Sequence, residues 1–233
     1  MSNAKGITIS SEDVKDFKVA YCDENAIIKD LLKKEFIRFF EGNIVDVGGG
    51  TADILTQAIP EMRVTHLDIL DFSDVNIPAA HTRITGDFFD WNVMDKLGTI
   101  DVLFMSHVQQ FIDSDLKRLR ETIETIGAKR VILIEDMNND FLGEVMRFSL
   151  KTFPKANPEV KIAEFPYDYR LVKSVPFTAT LMSPTFYELT KQCLYLMDLP
   201  HTEENISQMD TFLKKHLAEP KFTINQEINV YEK

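Results

Sequence analysis

Between residues 43 and 136, short apolar runs alternate with stretches whose apolar positions recur every three or four residues. Such alternation predicts a parallel sheet wound by helical crossovers. Residues 43–47 are short, β-branched and followed by three glycines, and they form the first strand. Residues 51–59 read as a helix stopped by Pro60. Residues 62–67, 82–85, 100–105 and 130–134 supply the second to fifth strands, with Glu135 buried at the end of the last. Leu116, Leu119, Ile123 and Ile126 fall at helical spacing in residues 114–126, which Gly127 ends. Upstream, Ile27, Ile28, Leu31, Leu32, Phe36 and Phe39 make one broad apolar face over residues 24–40. That is an amphipathic helix leading into the first strand.

Downstream the pattern loosens. Residues 141–153 are helical in spacing, and then Pro154, Pro158 and Pro166 punctuate a region rich in Phe and Tyr. Ser183-Pro184 reads as a helix start, with serine as N-cap and proline as the first helical residue, opening a helix through residue 197. Residues 203–217 predict one more. Phe222, Ile224, Gln226, Ile228 and Val230 alternate in the manner of an antiparallel edge strand. A strand beside it is open between residues 160–165 and residues 175–181.

The length of 233 residues suits one α/β domain with an elaboration. With 44% hydrophobic and 27% charged residues, the chain has the material for a sizeable core. The net charge of −11 argues against nucleic acid and anionic membrane as partners, because phosphate neutralisation needs a basic surface. No apolar run approaches the roughly 20 residues of a membrane span, and the N-terminus has no signal-peptide order. Cys22 and Cys193 stand far apart, outside any metal-like spacing, and read as free thiols of a cytoplasmic protein. The five histidines are scattered, so no metal site is expected.

The most informative stretch is Ile44-Val-Asp-Val-Gly-Gly-Gly-Thr-Ala-Asp53, where a strand feeds a glycine-rich turn that opens a helix. Gly48, Gly49 and Gly50 let the backbone bend sharply and let a ligand approach closely. A dinucleotide fingerprint requires a third glycine five positions after the first, to seat a pyrophosphate at the helix start. Asp53 occupies that position and would repel one. NAD is therefore disfavoured, and a ligand bearing an ammonium is favoured. Asp46 points the same way, either accepting from that ammonium or ordering the loop.

Asp46-Val-Gly-Gly-Gly-Thr resembles motif I of class I S-adenosylmethionine-dependent methyltransferases, an acidic residue followed by alternating glycines; Ala52 stands where the last glycine often is. Asp68, in Thr65-His-Leu-Asp-Ile69, resembles the acid that bonds the ribose hydroxyls, with Ile69 beside it. Asp87 and Phe88, in Gly86-Asp-Phe-Phe89, resemble the pair that accepts from the adenine amino group and borders the ring. Residues 101–113, with Ser106 and His107, resemble the fourth strand and its loop next to the methyl donor. Residues 130–136 resemble the fifth strand. The resemblance covers residues 36–136. It implies an α/β fold with a Rossmann-like parallel sheet, helices on both faces and an antiparallel C-terminal edge strand. Its implied activity is methyl transfer from S-adenosylmethionine, with S-adenosylhomocysteine as product.

Within that frame, residues 1–41 would form an N-terminal helical lid, 42–137 the cofactor core, 138–220 a substrate-side helical insertion and 221–233 the terminal strand. Tyr21 would cover the sulfonium by cation–π attraction, or else pack as an ordinary tyrosine. His107, Gln110 and Asp136 are the candidate acid–base groups at the strand tops. His107 is either catalytic or cofactor-lining, and Asp136 either faces the acceptor or caps the next helix. The aromatic residues of the insertion, among them Phe141, Phe148 and Phe153, either build its core or line a pocket for an apolar or aromatic acceptor. The expected reaction is methylation of an oxygen or nitrogen of a small molecule in secondary metabolism, by a monomer or homodimer. A non-catalytic cofactor-binding scaffold and a protein or nucleic-acid methyltransferase are the rival readings.

Overall fold

The computed structural model describes residues 22–107, 117–156 and 168–233. The described residues form two compact units, one of residues 24–107, 117–136, 168–177 and 226–233, the other of residues 22–23, 137–156 and 178–225.

The first unit is built on a sheet. Its helices are α1 (Glu24–Leu31), α2 (Asp53–Ala58), α3 (Trp91–Leu97) and α4 (Lys117–Ile126). Its strands are β1 (Ile44–Val47), β2 (Val64–Asp68), β3 (His81–Thr85), β4 (Val102–Ser106) and β5 (Arg130–Asp136). β6 (Arg170–Met182) and β7 (Lys221–Glu232) each divide between the units. The strand order is β3-β2-β1-β4-β5-β7-β6. β1 to β5 are mutually parallel, and β7 runs antiparallel to β5, with Ile134 opposite Ile228. The C-terminal strand is thus antiparallel, as its alternation predicts. The edge position belongs instead to β6, which contains residues 175–181.

β1 is buried along its whole length and β5 along all but its first residue, the pattern of strands covered on both faces. Val45, Val47, Leu67, Leu103, Met105, Val131 and Leu133 meet Val93, Met94 and Leu97 of α3 and Leu119 and Ile123 of α4. Ile44, Val64, Val102, Phe104, Ile132 and Ile134 meet Ile28 of α1 and Ile54 and Leu55 of α2. The period-2 alternation of each strand sends its residues to these two cores in turn. After α1 the chain widens into a π turn (Leu32–Phe36) and then tightens into a 3-10 turn (Ile37–Phe39) instead of continuing as one α-helix to residue 40, keeping Leu32, Phe36 and Phe39 buried. α3 has no forecast in the sequence, since it is short and, unlike α2, follows no glycine turn that marks its start. Asp90 caps it by accepting from Asn92 N.

The second unit holds α5 (Phe141–Thr152), α6 (Phe186–Leu196) and α7 (Glu203–His216). Its core joins Leu142, Val145, Leu189, Leu194, Met209 and Leu213. Phe148 stacks on Phe212 at 4.2 Å between ring centroids, and Phe141 meets Phe212 and Phe222. The aromatic residues of α5 therefore build this core. The N-cap of α6 is Thr185, whose hydroxyl accepts from Glu188 N, and not Ser183, whose hydroxyl instead donates to Gln192 Oε1. Residues 138–220 contain all of β6 alongside the three helices expected there.

Candidate functional site

β1 delivers the glycine turn at its carboxyl end. Gly48 (φ +68), Gly50 (φ +53) and Ala52 (φ +61) all take left-handed backbone, so Ala52 adopts the conformation of the glycine it replaces. A non-glycine residue there is held at a cost of about 1–2 kcal/mol. Gly48 N donates to Leu67 O at 2.7 Å and Ala52 N to Gly49 O at 2.7 Å, which closes the turn before α2. Gly49 needs its missing side chain for another reason: a β-carbon there would fall 2.5 Å from Asp46 Oδ2. Asp53, the first residue of α2, accepts from the Thr51 hydroxyl at 2.6 Å.

Asp46 lies beneath this turn and is 3% exposed. His66 Nδ1 donates to its Oδ2 at 2.7 Å. Of the two roles open to Asp46 in sequence, this contact is the one that orders the loop. Asp68, at the end of β2, ties two turns together: Oδ2 accepts from Gly50 N at 2.9 Å and Oδ1 from Leu70 N at 2.8 Å. Arg83 on β3 donates to Gly50 O at 2.8 Å. Burial holds its guanidinium below the usual arginine range, against the pull of Asp68 and Asp46. Ile69 is exposed beside Asp68. Asp87, just past β3, accepts from Phe89 N at 2.9 Å. Phe88 is 3% exposed and faces the sheet core, so the half-buried ring at this position belongs to Phe89.

The ends of β4 and β5 carry a second polar group. Ser106 closes β4, and His107 follows with φ +51, a left-handed residue whose N donates to Ile134 O. His107 Nε2 lies 2.6 Å from Glu24 Oε1, at the start of α1. His107 Nδ1 stands 3.9 Å from Asp136 Oδ1. Gln226 Nε2 bridges the two carboxylates, at 3.1 Å from Glu24 Oε1 and 2.8 Å from Asp136 Oδ1. Turning the amide over would set its oxygen against both carboxylates, so this orientation is fixed by chemistry. Asp136 does not cap α5. Asp140 does, accepting from Gly143 N.

The structure therefore gathers Asp46, Gly48, Gly49, Gly50, Asp68, Ile69, Asp87, Ser106, His107 and Asp136 along the carboxyl ends of β1 to β5. Phe88 is turned inward, and Tyr21 and Gln110 lie outside the described residues. Glu24 and Gln226 belong to the same end of the sheet, whereas His66 lies in the middle of β2 and His81 opens β3; all four escaped sequence reasoning. Glu24 opens a helix as countless glutamates do, and Gln226 lies 119 positions from His107. His66 did carry a signal: a histidine in the middle of a buried strand needs polar partners. Among the described residues no cluster of acids, histidines or cysteines is arranged to hold a metal ion, and no helix is long and apolar enough to cross a membrane.

No family model matches the sequence, and neither does any curated protein. Solved structures do match its fold. A cyclopropane-fatty-acyl-phospholipid synthase-like protein from Lactobacillus casei superposes with a TM-score of 0.56 at 12% identity, covering 90% of each chain. A SAM-dependent methyltransferase from Archaeoglobus fulgidus gives 0.50 at 14% identity, over 94% of this chain and 97% of the other. A candidate RNA methyltransferase from Pyrococcus horikoshii gives 0.50 at 12% identity, over 100% and 98%. Strand order, the antiparallel seventh strand and near-complete coverage agree on one architecture, and the fold of this chain is that of the class I S-adenosylmethionine-dependent methyltransferases.

Proposed function

We propose that this protein transfers a methyl group from S-adenosylmethionine to an oxygen or nitrogen of a small apolar or aromatic molecule. The observation that carries the reading is the row of groups along the carboxyl edge of the sheet, centred on the point where strand order reverses between β1 and β4. Ligands of open α/β sheets bind at such a reversal. Asp87, Asp68, the turn at residues 48–50 and Ser106 with His107 follow one another across β3, β2, β1 and β4. That sequence suits an elongated ligand with a base at one end, a ribose over β2 and an amino acid over β1.

The residues fit such a ligand. The turn has no β-carbon on its central glycine, and Asp68 is a ribose-type acceptor already aligned by two backbone donors. Asp53 at the first turn of α2 disfavours a diphosphate. When bound, S-adenosylmethionine supplies an electrophilic methyl on a good leaving group, so the protein's task is alignment and exclusion of water. His107 is the proton acceptor for a protonated nucleophile. Glu24 accepts from Nε2–H, which places the ring's lone pair on Nδ1, on the side of Asp136. The net charge of −11 speaks against an RNA acceptor.

Calorimetry with S-adenosylhomocysteine and with NADH tests the cofactor half of this reading. Heat with S-adenosylhomocysteine alone supports it, and heat with NADH alone overturns it. Transfer of labelled methyl to a panel of phenols and amines tests the acceptor half. Binding without transfer to any small acceptor, protein or RNA favours the scaffold reading.

A further inference from the structure

Beneath the glycine turn runs a chain of three buried hydrogen bonds. Asp46 Oδ2 meets His66 Nδ1 at 2.7 Å, His66 Nε2 meets His81 Nδ1 at 2.9 Å, and His81 Nε2 meets Ile59 O at 3.2 Å. Asp46, His66 and His81 are 3%, 1% and 5% exposed. Both ends of the chain are oxygen acceptors, and each of the three links needs one hydrogen. A carboxylate and two neutral imidazoles bring only two between them. The chain therefore holds one proton more than its groups carry in their ordinary neutral-pH forms, and its net charge is zero. Neutrality is what burial demands, since an unpaired carboxylate at this depth is strongly penalised.

We propose that His66 is a positioning residue of the cofactor site, an imidazolium whose extra proton locks Asp46 under the glycine turn. This rests on the reading that the turn holds S-adenosylmethionine. The turn sits directly on the pair: a β-carbon on Gly49 would lie 2.5 Å from Asp46 Oδ2 and 3.1 Å from His66 Nδ1. A rotation of the carboxylate thus moves the backbone that faces the ligand. Three places are open to the extra proton: the Asp46 carboxyl, His66 and His81. Imidazole is a stronger base than carboxylate, and of the two rings His66 is favoured because it touches the carboxylate. Burial holds His81 below the usual histidine range. The Ile59 carbonyl opposes that shift, the charge of His66 adds to it and Asp46 opposes it. The other charged groups here are Arg83, opposite His66 in the strand register, and Asp68, Asp71 and Asp74, which act on Arg83. None of them bonds to either imidazole of the chain.

The experiment has two independent readouts on the full chain. Nitrogen-resolved NMR of the histidine rings at neutral pH should show His66 protonated on both nitrogens and His81 on Nε2 alone. A His66 ring with a single proton overturns the proposal. In Asp46→Asn the amide supplies the missing hydrogen, so His66 should revert to Nε2–H alone. Retention of both ring protons in that variant also overturns it. His66→Gln should weaken S-adenosylhomocysteine binding about tenfold or more by calorimetry, and unchanged affinity in a folded variant removes the positioning role. If the wild-type protein binds no S-adenosylhomocysteine, the functional reading fails while the proton count still stands or falls by NMR.

Discussion

Gly49 and Asp46 stand so close that a β-carbon on the one would fall 2.5 Å from Oδ2 of the other. The contact joins the turn to the buried polar chain beneath it, and it makes residue 49 the position where the smallest change has the largest local effect. In Gly49→Ala the backbone of the turn must lift, because Asp46 is fixed by His66 and has nowhere to go. The expected cost is about 1–3 kcal/mol, as for other overpacked sites. Urea denaturation should register that loss, and calorimetry a fall in S-adenosylhomocysteine affinity. A variant with wild-type stability and affinity would mean that the turn adjusts freely.

His107, Glu24 and Gln226 make a different kind of prediction, about rate. His107→Ala should lower kcat by about 10²–10⁴-fold, the usual worth of a positioned base, while S-adenosylhomocysteine affinity changes little. Glu24→Gln keeps a carbonyl that accepts from Nε2–H but removes the charge that favours the imidazolium. Its kcat should drop by less. Unchanged turnover in His107→Ala would leave the ring as a cofactor contact or a structural residue.

Much of this architecture is legible in sequence because parallel strands buried on both faces read as dense apolar runs. β1, β2, β4 and β5 show themselves that way, and the glycine turn marks the ligand end. What stays hidden has particular causes. α3 is short and, unlike α2, has no glycine turn before it to mark its start. β6 carries a proline and several exposed apolar residues, among them Leu171, Val172 and Met182, so its alternation is blurred. Phe88 and Phe89 are adjacent aromatics, and sequence alone does not say which faces the core. Polar pairings such as Glu24 with His107 join residues distant in the chain, and no local spacing announces them.

Acid should destabilise the protein through His81. Burial holds its folded-state pKa below the ordinary value, which lies near 6.5 in an unfolded chain. Below about pH 6.5 the unfolded chain takes up a proton that the folded ring refuses. The stability present at neutral pH is therefore lost as pH falls from there towards the folded-state pKa. Urea midpoints measured between pH 7 and 5 should fall less steeply in His81→Gln than in the wild type. Equal slopes would assign the acid sensitivity to carboxylates elsewhere.

At the alkaline end, Tyr169 and Tyr231 set the expectation. The Tyr169 hydroxyl donates to Ala128 O at 2.6 Å and its ring is buried against the sheet core. Burial first, then the charges of Asp168 and Glu124, push it up to about 12. Tyr231 is likewise pushed up to about 12 by burial and by Glu135 and Glu227. A tyrosine raised in the folded state contributes stability that is complete below its unfolded value, near 10, and lost as pH climbs towards about 12. Absorbance at the phenolate band should therefore show two tyrosines ionising late, and in step with unfolding. In Tyr169→Phe one late step disappears. The Ala128 carbonyl is left buried without its donor, so the variant should also be less stable at neutral pH by about 1–3 kcal/mol. A neutral-pH stability equal to the wild type would mean that water or a neighbouring donor replaces the hydroxyl.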